Sequence, residues 1–198
     1  MLRIVHAIDR LNTLVGKLFA WTILAMIALI VYEVFMRYVM RSPTAWAYDM
    51  GYMLYGTIFI MAGAYALSVA AHVRGDVIYR LFTPRKQAVI DLVLYLVFFF
   101  PAIIALVYAG YSYAEASWRI GERAASGPGA PPVSWFKSLI PLAGSFLLLQ
   151  GLAEIMRCVL CLRDGDWPPR LSDVREVDVE RAQQILGDAE TDPGSAPR

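Results

Sequence analysis

The sequence has few of the residues from which metal and cofactor sites are built. It contains two histidines and two cysteines in 198 residues. His6 and His72 both flank the predicted helices, so a haem held between two intramembrane histidines is not expected. Cys158 and Cys161 supply half of a zinc site, and no His or Cys lies near them in sequence to complete it. We therefore expect no metal site and no cofactor.

Catalytic motifs and a dominant charge are also missing. The sequence contains no Ser-His-Asp set, no glycine-rich phosphate loop and no H-E-x-x-H motif, so we assign no catalytic residue. The formal net charge is +1, which gives no field of one sign for attracting a nucleic acid. We expect neither an enzyme nor a nucleic-acid-binding protein.

Long apolar stretches occupy most of the chain, in which 58% of residues are hydrophobic and only 18% are charged. Four of these stretches predict helices at about residues 14–39, 44–71, 88–118 and 135–162. A bilayer core is crossed by about 20 apolar helical residues, and each stretch is long enough. So few charged residues could not supply the polar shell of a soluble four-helix protein. The predicted fold is therefore an all-α integral membrane protein with four transmembrane helices.

Two regions outside the four helices have their own character. Residues 1–165 are predicted to form the transmembrane domain, and residues 166–198 a polar cytoplasmic tail that is partly disordered. Residues 75–82 are too short to cross a bilayer and predict an interfacial segment between helices 2 and 3. Within the third helix, Pro101 is expected to cause a kink and to free the carbonyl of Val97.

The distribution of lysine and arginine predicts the orientation in the membrane. The N-terminal tail, the loop between helices 2 and 3 and the start of the C-terminal tail carry about twice as many basic residues as the opposite side. Because cytoplasmic loops are enriched in Lys and Arg, both termini are predicted to be cytoplasmic.

Ionisable residues inside the apolar stretches are the candidates for a transport pathway. Glu33 and Arg37 are spaced i, i+4, and Glu154 and Arg157 are spaced i, i+3, so each pair can meet on one helix face. We interpret both pairs as interfacial or helix-end ion pairs. The alternative is a proton or sodium relay, which would need carboxylates near the bilayer midplane, where none of these is expected.

Helix 2 also carries a stripe of small side chains. Ala62, Ala66 and Ala70 are spaced i, i+4, i+8. Such a stripe lets another helix approach closely, so it is a candidate contact with a partner subunit. Ordinary packing within the four-helix unit is the alternative.

One long stretch resembles a known family. The sequence YEVFMRYVMRSPTAWAYDMGYMLYGTIFIMAGAYALSVAAHVRGDVIYRLF resembles the core of the small membrane subunit of tripartite ATP-independent periplasmic (TRAP) transporters, the DctQ-like family. The motif positions, which the resemblance implies are structural or assembly residues, are Arg37, Tyr38, Pro43, Trp46, Asp49, Gly63, His72 and Asp76. The stretch SWFKSLIPLAGSFLLLQGLAE is similar to the family's fourth helix.

The resemblance implies a role in a three-component transporter of the bacterial inner membrane. A periplasmic binding protein would capture an organic acid, and a large membrane subunit would carry it with sodium. The small subunit would act as a scaffold for the large subunit and would help dock the binding protein. Two alternatives remain, a self-sufficient small proton-coupled transporter and an anchoring or assembly subunit of an unrelated complex.

The loop before helix 4 is the candidate docking surface for the binding protein. It presents Arg119, Arg123 and Trp135, whose residue types are enriched in protein interfaces. Arg123 lies beside an Ala-Ser-Gly stretch that we expect to be flexible and able to reach outward. For Trp135 the alternative is an anchor in the lipid headgroups.

Overall fold

The structure, a computed structural model, describes residues 1–69, 82–127 and 129–168. These residues form four helices long and apolar enough to cross a membrane, which confirms the predicted architecture. We call them spans 1 to 4, and they are Leu2–Tyr38, Ala45–Ser68, Pro84–Ile120 and Ser134–Asp164. The predicted interfacial segment lies outside the described residues apart from Phe82, as does the predicted tail apart from residues 166–168.

Span 1 begins at Leu2, well before the predicted start at residue 14. It consists of two helices, Leu2–Ala20 and Thr22–Tyr38, joined at Trp21. Val5, Asp9 and Asn12 are the buried residues of the first helix, and their i, i+4, i+7 spacing places them on one face. The prediction missed residues 2–13 because polar residues, among them Asp9 and Asn12, interrupt the apolar run there.

Span 3 changes its hydrogen bonding just before Pro101. The helices Pro84–Leu94 and Phe100–Ile120 flank a π-helical turn, Tyr95–Phe99, and the Phe100 N–H donates to the Tyr95 carbonyl five residues back. The proline ring would clash with the carbonyl four residues earlier in an α-helix, and a wider turn relieves this. The disturbance predicted at Pro101 therefore takes the form of a π turn.

The four spans pack in an order that places span 4 next to all the others. Its most extensive contact is with span 3, and it also packs against span 2 and against helix Leu2–Ala20. Helix Thr22–Tyr38 packs against span 2. At the crossing of spans 3 and 4, a Cβ on Gly144 would lie 2.6 Å from Val107 Cγ2, so only glycine allows this approach.

The alternation of the spans defines two ends of the bundle. Residues 39–44 join spans 1 and 2, and residues 121–133 join spans 3 and 4, both at what we call the hairpin end. At the opposite end, the terminal end, lie the start of span 1 and the end of span 4. Span 4 ends at Asp164, followed by Gly165 with a left-handed φ of 91°.

Candidate functional site

Five polar side chains are buried between span 4 and the first helix of span 1. We call them the polar cluster, and each is at most 3% exposed. The cluster consists of Asp9, Asn12, Gln150, Glu154 and Arg157. Burying charge in an apolar surrounding is costly unless the groups are paired and hydrogen-bonded, so the partners of each group decide whether the cluster is stable.

Arg157 is the centre of the polar cluster. Its Nη1 donates to Glu154 on the same helix, and its Nη2 donates to Asp9 on span 1. The Arg157 side chain is 1% exposed, and its charge is paired with carboxylates on two helices. This double ion pair fixes the first helix of span 1 against span 4.

Gln150 and Asn12 extend the network by further hydrogen bonds. The Gln150 Nε2 group donates to Asp9 Oδ1 at 3.0 Å and to Glu154 Oε1 at 3.4 Å. The Gln150 Oε1 atom accepts from Asn12 Nδ2 at 2.6 Å. Hydrogen bonds are stronger in a low-dielectric interior than in water, and removing one side chain of the network leaves its partners without a hydrogen bond. The arrangement can set the register and rotation of the N-terminal helix.

The predicted Glu154–Arg157 pair is confirmed, and the structure adds that it is buried between two helices. The pair is buried because span 1 begins early enough to cover it, and Asp9 completes it. The sequence held a signal for the missed members. Gln150 lies four residues before Glu154 and seven before Arg157, which places a polar stripe on one face of an otherwise apolar helix.

At the hairpin end, Glu33 joins spans 1 and 2. The predicted pair with Arg37 is confirmed, with Arg37 Nη2 lying 2.7 Å from Glu33 Oε1. The other carboxylate oxygen accepts the Thr44 N–H at 3.2 Å and also the Thr44 hydroxyl. Thr44 is the N-cap residue of span 2, so Glu33 satisfies a backbone donor at the start of that helix. The ion pair with Arg37 orients the Glu33 carboxylate toward Thr44.

Other motif residues lie near the same turn. Pro43 directly precedes the N-cap residue, and Tyr38 is exposed at the end of span 1. The Trp46 ring packs against Tyr32, with centroids 6.0 Å apart. Asp49 is half-buried, and its Oδ2 has no hydrogen-bond partner within the described residues.

The remaining motif and stripe positions are more scattered. Among the described residues, a Cβ on Gly63 would meet only Leu147 methyls at 3.9 Å, so no close approach there requires glycine. Ala62 is exposed and Ala66 half-buried, which leaves the first half of the alanine stripe accessible. His72, Asp76 and Ala70 lie outside the described residues.

Hydrogen bonds join the two arms of the loop between spans 3 and 4. Arg123 Nη1 donates to the Ala130 carbonyl at 3.0 Å. The Ala124 N–H donates to the Pro131 carbonyl, and the Val133 N–H donates to the Glu122 carbonyl, each at 3.0 Å. Arg123 is nonetheless exposed, so its charge is presented at the surface by a loop whose shape is set by its own hydrogen bonds.

An ion pair fastens this loop to span 4. Lys137 Nζ lies 2.5 Å from Glu122 Oε2 and 3.9 Å from the centroid of the Tyr113 ring. The hydrogen bond from Lys137 lowers the pKa of Glu122 from its usual value. A lowered carboxyl pKa means that the pair stabilises the fold above the ordinary glutamate pKa, and that this contribution is lost as the pH falls through the lowered value.

The two tryptophans beside the loop contact each other. Trp118 and Trp135 form an edge-to-face pair with centroids 4.8 Å apart, and Trp118 Nε1 donates to Ser138 Oγ at 2.8 Å. Arg119 pairs with Glu115 at 2.6 Å on the surface of span 3. Trp135 remains 67% exposed, so it is available to lipid or to a partner.

The two cysteines are buried at the terminal end. Cys158 and Cys161 pack against Ala88 of span 3, and the Cys161 thiol donates to the Pro84 carbonyl at 3.6 Å. They therefore contribute to helix packing. In the ranges that the structure describes, no group of three or more His, Cys, Asp or Glu side chains is placed to hold a metal ion.

Comparison with known proteins gives one finding. A family model described as "Tripartite ATP-independent periplasmic transporters, DctQ component" matches residues 26–161, which is more than half of the chain. No curated protein matches the chain. The matched range includes the hairpin end and the span 4 members of the polar cluster, while Asp9 and Asn12 lie before it.

Proposed function

The chain belongs to the DctQ family, a component of tripartite ATP-independent periplasmic transporters, and on that premise we propose its role in such a system. It is the small permease subunit of a sodium-coupled, binding-protein-dependent transporter for organic acids. It acts as a scaffold for a large membrane subunit and helps to dock a periplasmic binding protein. The family match is the observation that carries this proposal.

The geometry of the described residues supports a scaffold role. Asp9, Glu154 and Arg157 are directed at one another rather than at an opening. Within the described part of the chain, no residue of helix Thr22–Tyr38 is buried, although nearly all of it is apolar. Such a surface requires lipid or a partner. At the hairpin end the loop presents Arg123 and the start of span 4 presents Trp135, which supports docking there.

Purification of the tagged chain from its native membrane tests this function. We expect a large membrane subunit to co-purify, and we expect the double substitution Ala62→Leu and Ala66→Leu to remove it by filling the stripe. Ala105→Leu, which makes the same exchange once at an exposed position on span 3, is the control. Transport by the reconstituted chain alone would instead favour a small self-sufficient transporter. Co-purification of an unrelated complex would favour an anchoring subunit.

The proposed orientation places both termini in the cytoplasm of the bacterial inner membrane. Single cysteines at Ala125 and Lys86, both exposed, should report the two sides in a background lacking Cys158 and Cys161. We expect an impermeant thiol reagent to label position 125 from outside and position 86 only after permeabilisation, because basic residues are enriched in cytoplasmic loops. The reverse pattern would contradict both the orientation and the docking role.

A further inference from the structure

A groove lies between spans 1 and 2 at the hairpin end. We call it the hairpin groove. Its cavity volume is about 450 Å³, within the range of small-molecule sites. Among the residues that line it are Ile30, Val34 and Arg37 from span 1 and Ala47, Gly51 and Tyr55 from span 2.

The groove is apolar along its length and polar at one end. Gly51 forms an open part of its floor, because a Cβ placed there would meet no atom within 4 Å. Ile30 and Val34 are exposed on one wall. Arg37 stands at the hairpin end with 54% of its side chain exposed. Its Nε and Nη2 atoms bond to Glu33, which also lines the groove, and its Nη1 makes no hydrogen bond within the described residues.

We propose that the hairpin groove binds one phospholipid, with an acyl chain along Val34 and Gly51 and the phosphate on Arg37. Arg37 supports this occupant, since a guanidinium that keeps its Nε and Nη2 atoms on Glu33 can still donate from Nη1 to a phosphate oxygen. The exposed tyrosines Tyr48 and Tyr52, whose hydroxyls lie 3.1 Å apart, stand beside this end, as aromatic residues do at a headgroup level.

The length of the groove favours a lipid over a crossing helix. From Arg37 to Leu29 the helix rises about 12 Å, at 1.5 Å per residue. That is close to the depth of one leaflet, about 15 Å, and well short of the hydrocarbon core of about 30 Å that a partner's transmembrane helix would cross. The exposed Tyr55 and the Leu29 side chain lie at the far end of the groove. An acyl chain of a single leaflet fits this depth.

The test uses the purified full-length chain in mild detergent and native mass spectrometry with added phosphatidylglycerol. We expect one phosphatidylglycerol to bind the unmodified chain. Gly51→Leu should weaken binding about tenfold, because its side chain takes the place of buried methylenes of the lipid. Ala28→Leu, which also replaces a small residue with leucine but on the opposite face of span 1, should leave binding unchanged. Ile30→Phe fills the groove from the other wall and gives a second reading should Gly51→Leu fail to fold.

A comparison with diacylglycerol of the same acyl chains distinguishes the contribution of the apolar groove from that of Arg37. Diacylglycerol should bind more weakly than phosphatidylglycerol because it lacks the phosphate that Arg37 would contact. Equal affinity of the two lipids, or equal binding by Gly51→Leu and Ala28→Leu, would overturn the proposal. The proposal would also be overturned if Gly51→Leu lost a partner subunit but still bound phosphatidylglycerol. That result would assign the groove to a protein partner. Because lipid binding is measured on the chain alone, failure here is distinguishable from failure of the proposed transport role.

Discussion

Replacing Arg157 with methionine is expected to destabilise the folded chain by about 3–5 kcal/mol, the usual effect of removing one partner of a buried ion pair. The substitution leaves the Asp9 and Glu154 carboxylates buried without the guanidinium that now contacts both. Because Asp9 is the contact from span 1, the N-terminal helix should detach first. The measurement is the free energy of unfolding in detergent micelles, with protease accessibility of residues 1–20 as a local readout.

A matched control lies on the same helix. Arg163 is 74% exposed in its side chain and pairs with its neighbour Asp164, so Arg163→Met should change the stability by no more than about 0.5 kcal/mol. Adding Asp9→Asn and Glu154→Gln to Arg157→Met removes the unbalanced charge and should restore part of the loss. Equal stability of Arg157→Met and Arg163→Met would show that the polar cluster does not hold span 1 in place.

The helices could be predicted from the sequence because apolar length and composition alone specify a membrane span. The early start of span 1 could not be predicted in this way. Asp9 and Asn12 interrupt the apolar run, and whether such residues are solvated or buried depends on what faces them. In this protein Gln150 and Arg157 face them from a distant part of the chain. Gln150, four residues before Glu154, indicated a polar helix face, but the sequence did not show that Asn12 would contact it.

At the hairpin end, too, the sequence predicted contacts within one helix but not contacts between helices. The Glu33–Arg37 pair follows from helical spacing and was predicted. The contact of Glu33 with Thr44 depends on how the chain turns between spans 1 and 2, which spacing does not specify. Likewise the glycines and prolines near Arg123 predicted a break in the helix, but not the hydrogen bonds that fold the loop back on itself.

The loop of residues 121–133 should set the affinity for the periplasmic binding protein in the reconstituted three-component system. Arg123 is exposed and is held by its bond to the Ala130 carbonyl, so its charge is presented at a defined position. A preorganised loop loses little entropy on binding, which favours docking at this surface. Charge reversal by Arg123→Glu should raise the binding-protein concentration for half-maximal uptake about tenfold, equivalent to about 1.4 kcal/mol.

Two further variants separate charge from loop shape. Arg123→Gln keeps a side-chain donor for the Ala130 carbonyl and removes the charge, so it should produce a smaller rise. Arg41→Glu makes the same charge change in the other connection at the hairpin end, where Arg41 is exposed, and should leave uptake nearly unchanged. A docking contact at an exposed arginine is screened by salt, so the difference between Arg123→Glu and the unmodified protein should shrink as ionic strength rises. If Arg123→Glu and Arg41→Glu behave alike at low salt while the complex stays assembled, docking must rest on the large subunit.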